Sequence, residues 1–223
     1  VLPDVSSCHG CVFDFDGTII VSEHIHMRAW EDLAEDQGLQ LPEGFLESSV
    51  GLSDRQLIVS LAQAWNQEGD AGGLLARKRA HYMRRCAQEC QEVPGVKAAI
   101  RKLKERDIPM AVATSSSEEE VIPVLTRLGI LDCFVRLWTV ETVSRPKPDA
   151  EIYQKAAKSL GLRPNQCLAF EDSLAGVASA RSAGCSLITI QTLYPAAMLG
   201  PAALSVRDFN DQNLMALLES LTP

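Results

Sequence analysis

Asp14-Phe15-Asp16-Gly17-Thr18 sets two carboxylates two residues apart at the end of a short apolar run. Alternation along a strand sends both side chains the same way, and where the strand runs out they and the backbone between them converge on one site. Carboxylates that close repel each other unless a cation or a proton lies between them. Read alone, Asp-Gly is also a common turn dipeptide, so the pair gains meaning only from what accompanies it.

Three further segments accompany it. Thr114-Ser115-Ser116-Ser117 precedes Glu118 and places hydroxyls and free backbone N–H groups at a helix start. Such a start suits phosphate oxygens, and equally an ordinary N-cap. Arg145-Pro146-Lys147-Pro148-Asp149 is a rigid segment that holds a cation in a loop, as a plain surface turn also would. Phe170-Glu171-Asp172-Ser173 brings two adjacent acids that double as a helix cap. An acid pair, a hydroxyl, a cation and a second acid pair thus stand at four consecutive strand ends.

The elements that must carry them read as alternating strands and helices. Cys11–Phe15, Met110–Thr114, Leu137–Val140, Cys167–Phe170 and Ser186–Ile190 are short and almost continuously apolar, as buried parallel strands are. Helical patterns lie between them at 96–106, 118–128, 151–160 and 173–183, several ending at a glycine. This rhythm predicts an α/β fold, a doubly wound, Rossmann-like parallel sheet whose sites form beyond the carboxyl ends of the strands. Residues 22–91 break the rhythm and read as helices only: 23–36, a helix opened by a Ser53/Gln56 capping box, and 74–89. The expected organisation is a catalytic core of residues 1–20 and 92–223 with an inserted all-helical cap of residues 21–91.

Composition narrows the function. The 223 residues are 46% hydrophobic and 22% charged, enough for a packed core, and 29 acids against 21 bases give a net charge of −8. That sign is wrong for coating a nucleic acid or an anionic membrane, and no apolar stretch is long enough to span a bilayer, so neither is expected as a partner. A cytoplasmic monomer is expected. Seven cysteines in a chain of this size predict reduced thiols. Cys8-x-x-Cys11 with Cys86-x3-Cys90 has the count for zinc, but the first pair borders an apolar strand and the second lies one turn apart on an amphipathic helix, both usual places for buried thiols.

Taken together, the chain resembles the haloacid dehalogenase superfamily, specifically its helical-cap phosphatases related to β-phosphoglucomutase. DFDGT (Asp14 to Thr18) fits the first motif, Ser115 the second, Lys147 with Pro148 the third and EDSLAG (Glu171 to Gly176) the fourth, across nearly the whole chain. Arg145 is an alternative for the third motif, but KPDAEIY sets Tyr153 at the family's aromatic position and favours Lys147, with Ala150 where a second proline is usual. Val21 departs from the acid that relatives commonly carry there, which removes a hydrogen-bonding group at the cap hinge.

The resemblance implies Mg²⁺ and a phosphorylated small molecule as substrate. A phosphate monoester is dianionic near neutral pH, so a carboxylate nucleophile needs a hard cation beside it. Asp14 is the implied nucleophile. Asp16 offers its backbone carbonyl to the metal and its carboxyl as the acid and then the base. Asp172 completes the metal shell, with Glu171 as a direct or water-mediated ligand, while Ser115 and Lys147 bind the phosphoryl oxygens. Displacement of a halide needs no such acid, so Asp16 argues against dehalogenation. In the cap the resemblance puts His26 at the hinge and Lys78, and more loosely Arg55, near the distal end of the substrate. The competing readings are a polar helix residue for His26 and solvated faces for Lys78 and for Arg55, which is displaced by one position from the mutase arginine. The expected activity is a sugar-phosphate phosphatase; the alternative is a β-phosphoglucomutase-type phosphohexomutase.

Overall fold

The computed structural model describes residues 5–46 and 53–223. The chain divides into two compact units, residues 22–91 and the remainder on either side of them. Its strands in chain order are β1 (Gly10–Phe13), β2 (Ile20–Val21), β3 (Gln91–Glu92), β4 (Met110–Ala113), β5 (Arg136–Trp138), β6 (Cys167–Glu171), β7 (Ser186–Ile190) and β8 (Leu204–Val206). The smaller unit holds α1 (Glu23–Asp36), α2 (Asp54–Ala64) and α3 (Ala71–Glu89). The larger holds α4 (Val96–Glu105), α5 (Glu118–Leu128), α6 (Glu151–Ser159), α7 (Leu174–Ala183), α8 (Ala196–Leu199) and α9 (Gln212–Ser220).

Six strands form one parallel sheet in the order β5-β4-β1-β6-β7-β8. Every residue of β1, β4 and β6 is buried, because helices cover both faces of the central strands; this is why those runs lack polar alternation. On one face Ile152, Tyr153 and Ala156 of α6 and Val177 of α7 pack on Val12, Ala111 and Ala169. The small residues on the strands let the helices approach closely. Elsewhere in the core, Phe13 stacks on Phe170 with ring centroids 4.4 Å apart, and Phe209 packs beside both.

The structure adds elements that periodicity did not show. β8 has three residues, two of them half-buried, and closes the sheet edge beside β7, so it lacks the apolar run that marks an interior strand. β2 and β3 form a two-residue ribbon, too short for any period. The third cap helix starts at Ala71 rather than Leu74. Gly72 and Gly73 argue for a later start, yet the carboxylate of Asp70 lies against Gly73 and pairs with Arg77, anchoring the first turn.

Within the smaller unit Trp30, Leu33, Leu57, Leu61 and Leu74 form a core shared by α1, α2 and α3. At the start of α2 the side chain of Gln56 accepts the N–H of Ser53 at 3.1 Å, as the capping box predicts.

Phe13 borders the site and makes aromatic contacts on several sides. Phe13→Ala should therefore cost about 3–5 kcal/mol of stability, read as a lower urea midpoint by circular dichroism.

Candidate active site

From β1 the chain crosses to β4 and β5 on one side, then returns to lay β6, β7 and β8 on the other. The strand order therefore reverses between β1 and β6, and an open parallel sheet leaves a crevice at the carboxyl ends of the strands at such a point. Asp14 follows β1 and remains tied to β6, its N–H donating to the Phe170 carbonyl at 3.0 Å. Glu171 is the last residue of β6 and Asp172 the next. Fold topology alone thus gathers acids far apart in sequence.

Lys147 arrives from the loop between β5 and α6. Its Nζ lies 2.6 Å from Asp14 Oδ1 and 2.6 Å from Glu171 Oε1, all three side chains being buried. Arg145, the alternative for the third motif, is instead exposed and pairs with Asp149 at 3.1 Å. The Tyr153 hydroxyl donates to Glu171 Oε1 at 2.6 Å, and the Asp172 N–H and the Ser173 hydroxyl face Glu171 Oε2, each at 3.2 Å. Gly176 makes this possible: a Cβ there would lie 1.8 Å from Glu171 Oε1. Both Glu171 oxygens are therefore engaged.

Charge in this cluster is not balanced by protein groups alone. Burial works against the Lys147 ammonium, but Asp14 and Glu171 more than offset it and hold the group above the usual lysine range. Burial, followed by the charge of Glu171, pushes the Asp14 carboxyl up to about 8. Burial and the neighbouring acids Asp14 and Glu171 likewise raise Asp172 well above an ordinary carboxylate. Asp14, Glu171 and Asp172 each offer an oxygen within 4.8 Å of the others, and Asp172 Oδ1 is buried with no hydrogen-bond partner. Three carboxylates facing one ammonium, with one orphan oxygen, fit a hard, oxygen-liganded divalent cation. The thiol alternative does not assemble. Among the described residues this carboxylate group is the one close enough to share an ion, and Cys8, Cys11, Cys86 and Cys90 form no disulfide.

Asp16 is half-buried and accepts a hydrogen bond from the Ser116 hydroxyl. Ser115 is exposed, while the Ser116 N–H donates to Thr114 Oγ1 at 2.9 Å. The serine that meets the acid pair is thus Ser116. The motif match singles out Ser115 for phosphate and says nothing of Ser116, whose contact with Asp16 follows from the bend at Thr114. Tyr153 is likewise placed by packing, through the face of α6 that covers the sheet.

The smaller unit brings two of its three candidates together. Lys78 is fully buried, its Nζ 2.6 Å from Asp54 Oδ2 and 2.7 Å from His26 Nδ1. It also lies 5.0 Å from the Trp30 ring centroid and 5.3 Å from that of Tyr82, on which His26 stacks. The solvated-face reading of Lys78 is therefore wrong: the ammonium is enclosed by three helices and matched by Asp54. Arg55, the second residue of α2, is exposed.

Comparison with known proteins gives the family and its fold. The family profile of haloacid dehalogenase-like hydrolases matches residues 11–190. Hexitol phosphatase A of Escherichia coli is 34% identical over 191 residues, covering 82% of this chain and 83% of the relative. Beta-phosphoglucomutase of Bacillus subtilis is 30% identical over 215 residues, covering 93% of each chain. Among solved structures, a HAD hydrolase of family IA, variant 3, from Entamoeba histolytica superposes with a TM-score of 0.82 at 27% identity, covering 94% of this chain and 98% of that one.

Removing one partner from a buried ion pair strands the others. Lys147→Met should cost about 3–5 kcal/mol when unfolding is followed in EDTA, because Asp14 and Glu171 then face each other without their ammonium.

Proposed function

The chain belongs to the haloacid dehalogenase-like hydrolases, and we propose that it is a Mg²⁺-dependent phosphatase acting on small phosphorylated sugars or related metabolites. The observation that carries this reading is the buried Asp14–Lys147–Glu171 cluster beside Asp172, whose Oδ1 lacks a partner. No helix of the described residues is long and apolar enough to cross a membrane. Seven cysteines without a disulfide fit the cytoplasm, our proposed location, with a monomer as the working unit.

Asp14, Asp172 and the backbone carbonyl of Asp16 would hold Mg²⁺, which supplies the positive charge that a phosphate dianion and a carboxylate nucleophile need beside them. Glu171 supports this arrangement from behind, through Lys147 and at most through water, since its own oxygens are engaged. Asp14 attacks phosphorus in line, forming an aspartyl-phosphate as the bond to the leaving oxygen breaks. Asp16 delivers its proton to that oxygen, then takes a proton from the water that attacks the aspartyl-phosphate and frees Asp14. Lys147 and the serine loop after β4, through Ser115 with Ser116 beside it, bind phosphoryl oxygens. A halide needs no proton on leaving, so Asp16 would be idle in a dehalogenase.

The relatives include a phosphatase and a mutase, and the cap favours the first. A mutase must grip a second phosphate, whereas the buried cation Lys78 is already matched by Asp54. Arg55 lies exposed on α2. The enzyme named for hexitol supports a phosphorylated polyol or sugar as the substrate class.

Two measurements test this. Asp14→Asn should abolish turnover without loss of fold, and Asp16→Ala should lower kcat by about 10²- to 10⁴-fold; an active Asp14→Asn enzyme removes the assignment. Incubation with a panel of sugar and polyol phosphates, including β-glucose 1-phosphate, should release free phosphate with Mg²⁺ and none with EDTA. Formation of glucose 6-phosphate with little phosphate release, when primed by a bisphosphate, would make the protein the mutase instead.

A further inference from the structure

A fifth strand end reaches the site from β7. Thr192, two residues beyond β7, lies with its Oγ1 2.6 Å from the Gly17 carbonyl and 3.2 Å from Asp172 Oδ2. The loop it sits on is anchored where it leaves the sheet, the Gln191 N–H donating to the Val206 carbonyl of β8 at 2.8 Å. A threonine hydroxyl has one hydrogen, so these two acceptors, from the ends of β1 and β6, share it in a three-centre bond.

The same Asp172 oxygen is confined from a second side. Gly17 has φ +73°, and a Cβ on it would lie 1.8 Å from Asp172 Oδ2. Oδ2 is therefore held between the Gly17 backbone and the Thr192 hydroxyl. Oδ1 of the same carboxylate is buried and has no hydrogen-bond partner. One oxygen is fastened and the other is left for a ligand.

We infer that Thr192 is a positioning residue: its hydroxyl sets the Asp172 carboxylate and the Gly17 carbonyl, so that Asp172 Oδ1 is presented to a divalent cation. The inference rests on the reading of Asp14 and Asp172 as metal-holding groups. It adds a group that the four motifs do not contain, from a strand end outside the acid, hydroxyl and cation set. Groups that orient a metal ligand without touching the metal commonly affect its affinity by 10- to 100-fold. Thr192 is itself exposed, so loss of its hydroxyl should leave the core packing intact.

The test is Mg²⁺ binding to the full chain without substrate, by calorimetry and by the Mg²⁺-dependent rise in melting temperature, for wild type, Thr192→Val and Thr192→Ser. Thr192→Val should bind Mg²⁺ about 10-fold more weakly, and Thr192→Ser should restore binding to within about 2-fold of wild type. Both variants should melt with wild type in EDTA. Unchanged Mg²⁺ affinity in Thr192→Val overturns the inference, whether or not the variant melts lower. So does equal weakening in Thr192→Ser, which would assign the effect to the methyl group. If wild type itself shows no Mg²⁺ binding, the metal-site reading fails, and the role of Thr192 fails with it.

Discussion

Everything in the larger unit is arranged around one electrostatic difficulty: carboxylates that must stay close together and away from water. Lys147, 2.6 Å from both Asp14 and Glu171, is the protein's own answer. Two buried acids against one ammonium would be costly if the ammonium were solvated or mobile, so it is enclosed, with its Nζ 5.3 Å from the centroid of the Tyr153 ring. The remaining deficit of positive charge, at Asp172, is what a divalent cation and a phosphate bring into balance together. A site that is electrostatically incomplete by itself is one that binds.

The backbone meets that demand by coming unusually close. Gly17 and Gly176 abut the carboxylates of Asp172 and Glu171 at distances no Cβ allows. Helix α7 can therefore begin against Glu171, with Ser173 capping it through the Gly176 N–H at 3.0 Å. The stacked Phe13 and Phe170 lie immediately before Asp14 and Glu171 on neighbouring strands in matched register. Apolar packing just inside the sheet thereby fixes the separation of the charged groups just outside it.

Much of this was legible in the sequence, for reasons that particular residues make plain. CVF, MAVA and CLAF have no polar alternation because helices cover both faces, and that is a feature of composition alone. The acids and the lysine stand at strand ends, where topology brings them together. The contact of Ser116, the neighbour of the motif serine Ser115, was not legible: Ser116 reaches Asp16 because its N–H is turned toward Thr114 Oγ1, a local bend with no signature in spacing. Thr192 left no signature either, as it belongs to no motif and acts across the fold. Lys78 read either as a group near the distal end of the substrate or as one of three solvated bases, and the packing of Trp30 and Tyr82 around it removes the second reading.

That enclosed lysine has a consequence for how such a chain changes over time. His26, Trp30, Asp54 and Tyr82, which surround it, all belong to residues 22–91, so the partners that match this buried charge come from the insert itself. An insert that supplies the partners of its own buried ammonium can be revised over its surface without leaving that charge unpaired.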